Sequence, residues 1–221
     1  MGFSAKNEVL KKNRLSKNKK LNARLKRVAS KIAAAAEKRF APGYKWEFFL
    51  LDSPQINAFC LPGGKIFVYE GLIKSVKNDD ELAGVIGHEV AHAILRHGSE
   101  RVSMAMVGDM TRELLRAGAV LSSNEWSPLY DLAYGLGSTY GILYPYSRKF
   151  EYEADQMGLY LAYEACYDPT KAIEFWQRDK KSKKVAEFFS THPSDAKRAA
   201  ALREYVKRLR GIKRECPSNL N

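Results

Sequence analysis

From Leu21 the apolar residues step by three or four positions through Leu25, Val28, Ile32 and Ala36 to Phe40, and Lys and Arg fill the face between them. That period predicts an amphipathic helix with a solvated basic side, ended by Ala41-Pro42-Gly43. The pattern then shortens. Lys45 to Leu51, Ile56 to Cys60 and Lys65 to Glu70 predict three strands, the last of them alternating, with Pro62-Gly63-Gly64 as the turn between the second and third. Gly71 to Lys77 predicts a short helix. A longer one follows to about Arg96, its apolar stripe made by Leu82, Val85, Ile86, Val90, Ala93 and Ile94. Asn78-Asp79-Asp80-Glu81 opens it with a capping residue and a Glu three positions on.

Beyond this helix, Ser103 to about Leu121 is helical in period, whereas Ser122 to Tyr144 is rich in Ser, Gly, Tyr and Leu without one and reads as a lid over a cleft. Asp168-Pro169 opens a helix through Ile173, Phe175 and Trp176, and His192-Pro193-Ser194-Asp195 opens the last, with Leu202, Val206 and Leu209 on one face. Residues 1–18 are polar and basic, a segment expected to fray. The pattern predicts an α+β chain, mainly helical with a small three-stranded sheet. It would comprise a flexible segment 1–18, one domain over 19–210 and a tail over 211–221.

With 221 residues, 45% of them apolar, the chain can bury the core of one domain. No run approaches the roughly eighteen uninterrupted apolar residues of a membrane span, mean hydropathy is −0.40, and the first residues hold no apolar signal-peptide core. The chain as given is therefore expected to be soluble. Cys60, Cys166 and Cys216 are odd in number and scattered, which suggests neither a disulfide framework nor a structural zinc knuckle.

Charge changes the picture through its distribution. Residues 1–31 carry a net +10 and residues 171–221 a net +8, which leaves −6 for 32–170 out of a total of +12. Basic ends around an acidic body suit contact with anionic surfaces such as lipid headgroups or acidic proteins, although Lys-rich solvated helix faces account for them more simply. Aromatic residues are not interleaved with the basic runs of residues 1–31, so no nucleic-acid partner is expected.

The chemistry concentrates on the central helix, in Gly87-His88-Glu89-Val90-Ala91-His92-Ala93. Residues four apart share a helix face, so His88 and His92 can offer two imidazoles to one zinc ion while Glu89 stands beside them as a base. Zinc with three protein ligands lowers the pKa of a bound water to about 7, which is what hydrolysis of a carbonyl compound requires. His97 comes five positions after His92 and is rotated off the ligand face. A third ligand must come from elsewhere. Tyr146 to Gly158 holds Glu151 with Asp155 one turn later, a ligand and a carboxylate able to orient a ligand histidine; Glu153 competes for the ligand role. His192 stands before a proline at a helix start, where it can serve as a cap, an oxyanion donor or a displaceable fourth ligand. Asn57, Ala58 and Phe59 can form an edge strand that holds a peptide extended, or an ordinary hairpin.

Together, Asn57-Ala58-Phe59-Cys60-Leu61-Pro62-Gly63-Gly64, the HEVAH run, the Tyr146 to Gly158 run and Thr191-His192-Pro193-Ser194-Asp195 resemble metallopeptidase family forty-eight, over about residues 21–205. The resemblance implies a gluzincin-like fold, one zinc ion per chain on His88, His92 and Glu151, and Glu89 as general base and acid. It also implies that Asn57, Ala58 and Phe59 lie on the substrate edge and that His192 reaches the active site. Without membrane spans or a tetratricopeptide extension, the chain is most similar to the soluble bacterial envelope branch, periplasmic or membrane-peripheral. The implied function is zinc-dependent endopeptidase action on unfolded or misassembled proteins in protein quality control. The alternative is a latent, chaperone-like zinc-binding protein whose cleft is gated.

Overall fold

A computed structural model describes residues 2–98, 144–178, 196–214 and 216. Contacts divide the chain into two compact units, Met1–Leu95 with Glu151–Asn221, and Arg96–Phe150. In the second unit, which falls within the span expected to be one domain, the His97 ring stacks on Phe150 at 4.5 Å. The predicted helix from Ser103, the lid-like stretch 122–143 and His192 lie outside the described residues. All that follows concerns the first unit.

The elements are α1 (Gly2–Lys12), α2 (Lys19–Phe40), β1 (Glu47–Leu51), β2 (Ala58–Leu61), β3 (Lys65–Tyr69), α3 (Glu70–Ser75), α4 (Asp79–Ile94), α5 (Tyr144–Glu164), α6 (Pro169–Arg178) and α7 (Ala196–Arg210). This is the mainly helical fold with a small three-stranded sheet that the pattern predicts. The predicted stripe of α2 is its buried face, from Leu25 through Val28 and Ile32 to Ala36. Asn18 caps its start by accepting from Leu21 N, and Ala41 ends it in the left-handed region at φ 43°.

The sheet runs β1-β3-β2, with β1 parallel to β3 and β2 antiparallel to it. Gly63 and Gly64, at φ 82° and 83°, supply the positive-φ turn of the β2–β3 hairpin. The third strand does not alternate as expected, since Lys65 to Val68 are all buried. Ile66 and Val68 join the main core with Leu50 and Ala58. On the opposite face Phe67 is sandwiched between Phe49 and Phe59, at ring separations of 4.8 and 5.0 Å.

That outer face explains the first correction. Residues 1–18 do not simply fray: α1 brings Lys6 Nζ to 5.1 Å from the Phe49 ring and 2.5 Å from Glu47 Oε2. Leu15 then pairs antiparallel with Leu51, Ser16 N donating to Leu50 O and Asp52 N to Arg14 O, both at 2.8 Å. The apolar content of the segment is low, but it lies against an aromatic face that would otherwise be exposed to water. It also covers the β1 edge, leaving β2 as the strand at the outer end of the sheet.

The cysteine reading is corrected as well. Cys166 and Cys216 form a disulfide across 50 positions. Near it, Arg214 donates to the carbonyls of Tyr163 and Tyr167, and the Tyr163 hydroxyl donates to Ile212 O. The start of the expected tail is therefore tied to the end of α5.

Helix α4 sits among the others through a face with almost no side chains. A Cβ built on Gly84 would lie 2.1 Å from Ala172 Cβ of α6, one on Gly87 2.5 Å from Gly158 O, and one on Gly158 2.6 Å from His88 N. Backbone meets backbone where α4 crosses α5. Gly158→Ala tests this crossing. An exposed helical site would gain about 1 kcal/mol from alanine, but overpacking costs about 1–3 kcal/mol and here meets main chain that cannot rotate aside. Net destabilisation is expected, read as a lower urea midpoint at unchanged m-value; a raised midpoint would refute the crossing.

Candidate metal centre

Helix α4 begins as its sequence dictates. Asn78 Oδ1 accepts from Glu81 N at 2.9 Å and a Glu81 carboxylate oxygen accepts from Lys77 N at 2.8 Å, a variant of the capping box shifted back by one residue. The neighbouring carboxylates tie the helix to its surroundings. Asp79 accepts from Arg24 and Arg27 of α2 at 2.8 and 2.6 Å, and Asp80 from Asp168 N at the head of α6 at 2.9 Å. The ligand-bearing turns are thus held at one end by charge and in the middle by the glycine crossing.

One turn apart on α4, His88 and His92 bring their Nε2 atoms to 3.0 Å from each other. Glu151 of α5 completes the triangle, Oε2 at 3.2 Å from His88 Nε2 and Oε1 at 3.3 Å from His92 Nε2. Metal–donor bonds of about 2.0–2.1 Å at tetrahedral angles put donor atoms about 3.3–3.4 Å apart. The two imidazole nitrogens and the carboxylate, which turns a different oxygen to each, lie near that spacing, with one donor atom from each residue within 4.8 Å of the others. Among the described residues these three form the group able to share a metal, and Glu153 is not part of it.

Asp155, one turn beyond Glu151, accepts from His88 Nδ1 at 2.9 Å. That bond turns the lone pair of Nε2 toward the triangle and fixes the tautomer a metal needs. Glu151 and Asp155 are fully buried and Glu89 is 2% exposed. Burial opposes a charged His88, yet its bonds to Asp155 and Glu151 and their negative charges outweigh that and push its pKa up to about 10. Three buried carboxylates beside two imidazoles are a donor set that asks for a dication, and a zinc ion matches it in charge, ligand type and spacing.

Glu89 lies on the turn between the two histidines. Helix α4 packs against β2, and there burial pushes the Cys60 thiol well above its ordinary range, the charge of Glu89 adding to this. Ala58 and Phe59 lie on β2, and Asn57 precedes them, its carbonyl accepting from Tyr69 N at 3.1 Å. The one local sign of the crossing in the sequence is a glycine inside each of two strongly helical runs, Gly87 and Gly158.

The family model for peptidase family M48 matches residues 19–206. The mitochondrial metalloendopeptidase OMA1 of Schizosaccharomyces pombe is 38% identical over 77% of this chain and 49% of its own length. The human metalloendopeptidase OMA1 is 37% identical over 74% of the chain and 32% of its own. The β-barrel assembly-enhancing protease of Escherichia coli is 25% identical over 75% of the chain and 35% of its own. The chain spans about half the length, or less, of these relatives.

Asp155→Asn keeps the shape of the orienting group and removes its charge. It is expected to weaken zinc binding about 10–100-fold in competition with a chromophoric chelator, and Glu151→Ala to weaken it further. Unchanged affinity in both would exclude this triangle as the metal site.

Proposed function

The chain belongs to peptidase family M48, and from that premise we propose that it is a zinc-dependent endopeptidase acting on unfolded or misassembled proteins in protein quality control. The observation that carries the reading is the triangle of His88, His92 and Glu151, with Glu89 buried on the same turn of helix. Zinc held there supplies a Lewis acid and a water of lowered pKa. The chain's own residues do the rest. Glu89 accepts the proton of the attacking water and returns it to the leaving amine, a role suited to a buried carboxylate on the turn between the two histidines. Asp155 keeps His88 in register, and His192 is assigned as a donor to the developing oxyanion, following the family resemblance. Asn57, Ala58 and Phe59 hold the substrate extended along the end strand of the sheet, whose outer side carries no further strand among the described residues.

For location, our reading is the bacterial cell envelope, periplasmic or membrane-peripheral. The Cys166–Cys216 disulfide favours an oxidising compartment, and the basic segments favour an anionic lipid surface. The more similar relatives named above are mitochondrial and the bacterial one less similar, so the envelope reading rests on the resemblance to the soluble envelope branch, with the disulfide and the basic segments in support. Among the described residues no helix is long and apolar enough to cross a membrane.

Glu89→Gln is expected to bind zinc as the parent does and to lose cleavage of casein by at least about a hundredfold. A variant cutting as fast as the parent would remove Glu89 from the mechanism. Vesicles containing anionic phospholipid are expected to bind the chain at about 0.01 M salt and release it toward 1 M, as the screening length falls from about 30 to 3 Å. No binding at low salt would exclude the membrane contact.

A further inference from the structure

The aromatic row on the outer face of the sheet bears on substrate choice, given the reading that substrate adds to β2. The pairings Phe49↔Phe67 and Phe59↔Phe67 place three rings in one line across the strands. The rings are nearly parallel, at 18° and 11°, and 4.8 and 5.0 Å apart. One end of the row is closed by Lys6 over Phe49, and the middle ring is fully buried. The other end, Phe59, sits on the end strand, with the Tyr69 ring tilted 6.2 Å away and α1 packed on the same strand, and is half-buried, so part of its surface stays exposed.

Side chains alternate along β2. Ala58 and Cys60 turn toward the core beneath the sheet, where α4, the helix that bears Glu89, packs against β2. A substrate residue opposite Cys60 therefore lies on the side of the general base. Residues directly opposite in an antiparallel pair share a face, so its neighbour opposite Phe59 must project to the outer face, beside the exposed end of the aromatic row.

We infer that Phe59 is a specificity-determining residue, and that the substrate position paired with it takes an aromatic side chain as the fourth ring of the row. Stacking and burial against an already ordered ring favour Phe or Tyr there over a small or charged residue, because Phe67 holds Phe59 in place before substrate arrives. The site thereby selects for segments that folded proteins keep inside, which matches a substrate class of unfolded chains.

The test uses internally quenched peptides of one parent sequence, with each position around the cleaved bond set in turn to Phe, Leu, Ala and Asp. Zinc-loaded wild type is expected to prefer Phe over Ala at one position by about tenfold in kcat/KM. Phe59→Ala should collapse that ratio to about twofold or less at that position alone, and Phe59→Leu, which keeps apolar volume but not the ring, should reduce it to an intermediate value. Zinc content of each variant is measured alongside to confirm an intact centre. A preference unchanged in both variants, or absent from every position in the wild type, overturns the assignment of Phe59 while leaving the peptidase reading intact. A zinc-loaded wild type that cleaves none of the peptides nor casein overturns the peptidase reading and this inference with it.

Discussion

The centre depends on the contact between two glycines. His88 and His92 are neighbours by helical geometry alone, but Glu151 and Asp155 belong to a helix more than fifty residues away, and their carboxylates are short. They reach Nε2 and Nδ1 of His88 only if the helices approach until their main chains touch, which Gly87 and Gly158 allow. Any side chain at that crossing would hold the helices apart by more than a hydrogen-bond length can absorb. The absence of two side chains is thus what converts two amphipathic helices into a ligand set.

Electrostatics works in the same direction. Burying Glu89, Glu151 and Asp155 together would strongly disfavour folding if nothing opposed their charge. The raised pKa of His88 is the response of the protein alone to that concentration of negative charge, and a bound dication is the fuller one. Metal binding and the packing of α4 against α5 are therefore coupled through the same residues.

The sheet contributes position more than stability. Lys6 of α1 lies over Phe49 and residues 14–16 pair along the edge of β1, so β2, which packs on both α1 and α4, is the strand at the far end of the sheet. The stacked rings of Phe49, Phe67 and Phe59 tie the three strands together on the outer face.

The helical periods of α2 and α4, the capping of α4 by Asn78 and Glu81, the three strands and the His88–Glu89–His92 grouping were all legible along the chain, because each depends on residues within a few positions of one another. Glu151 and Asp155 were readable as candidates for a similar reason, through their one-turn spacing and their resemblance to a family motif. Other features belong to pairs with no common local pattern. The Cys166–Cys216 bond, the cover that α1 provides, the burial of β3 on both faces and the role of Gly158 each need two distant segments to meet. Local free energies of capping and periodicity are written in consecutive residues. Contacts between helices and across sheet faces are decided by which surfaces the folded chain brings together, and for this protein that decision brought His88, His92 and Glu151 within reach of a single ion.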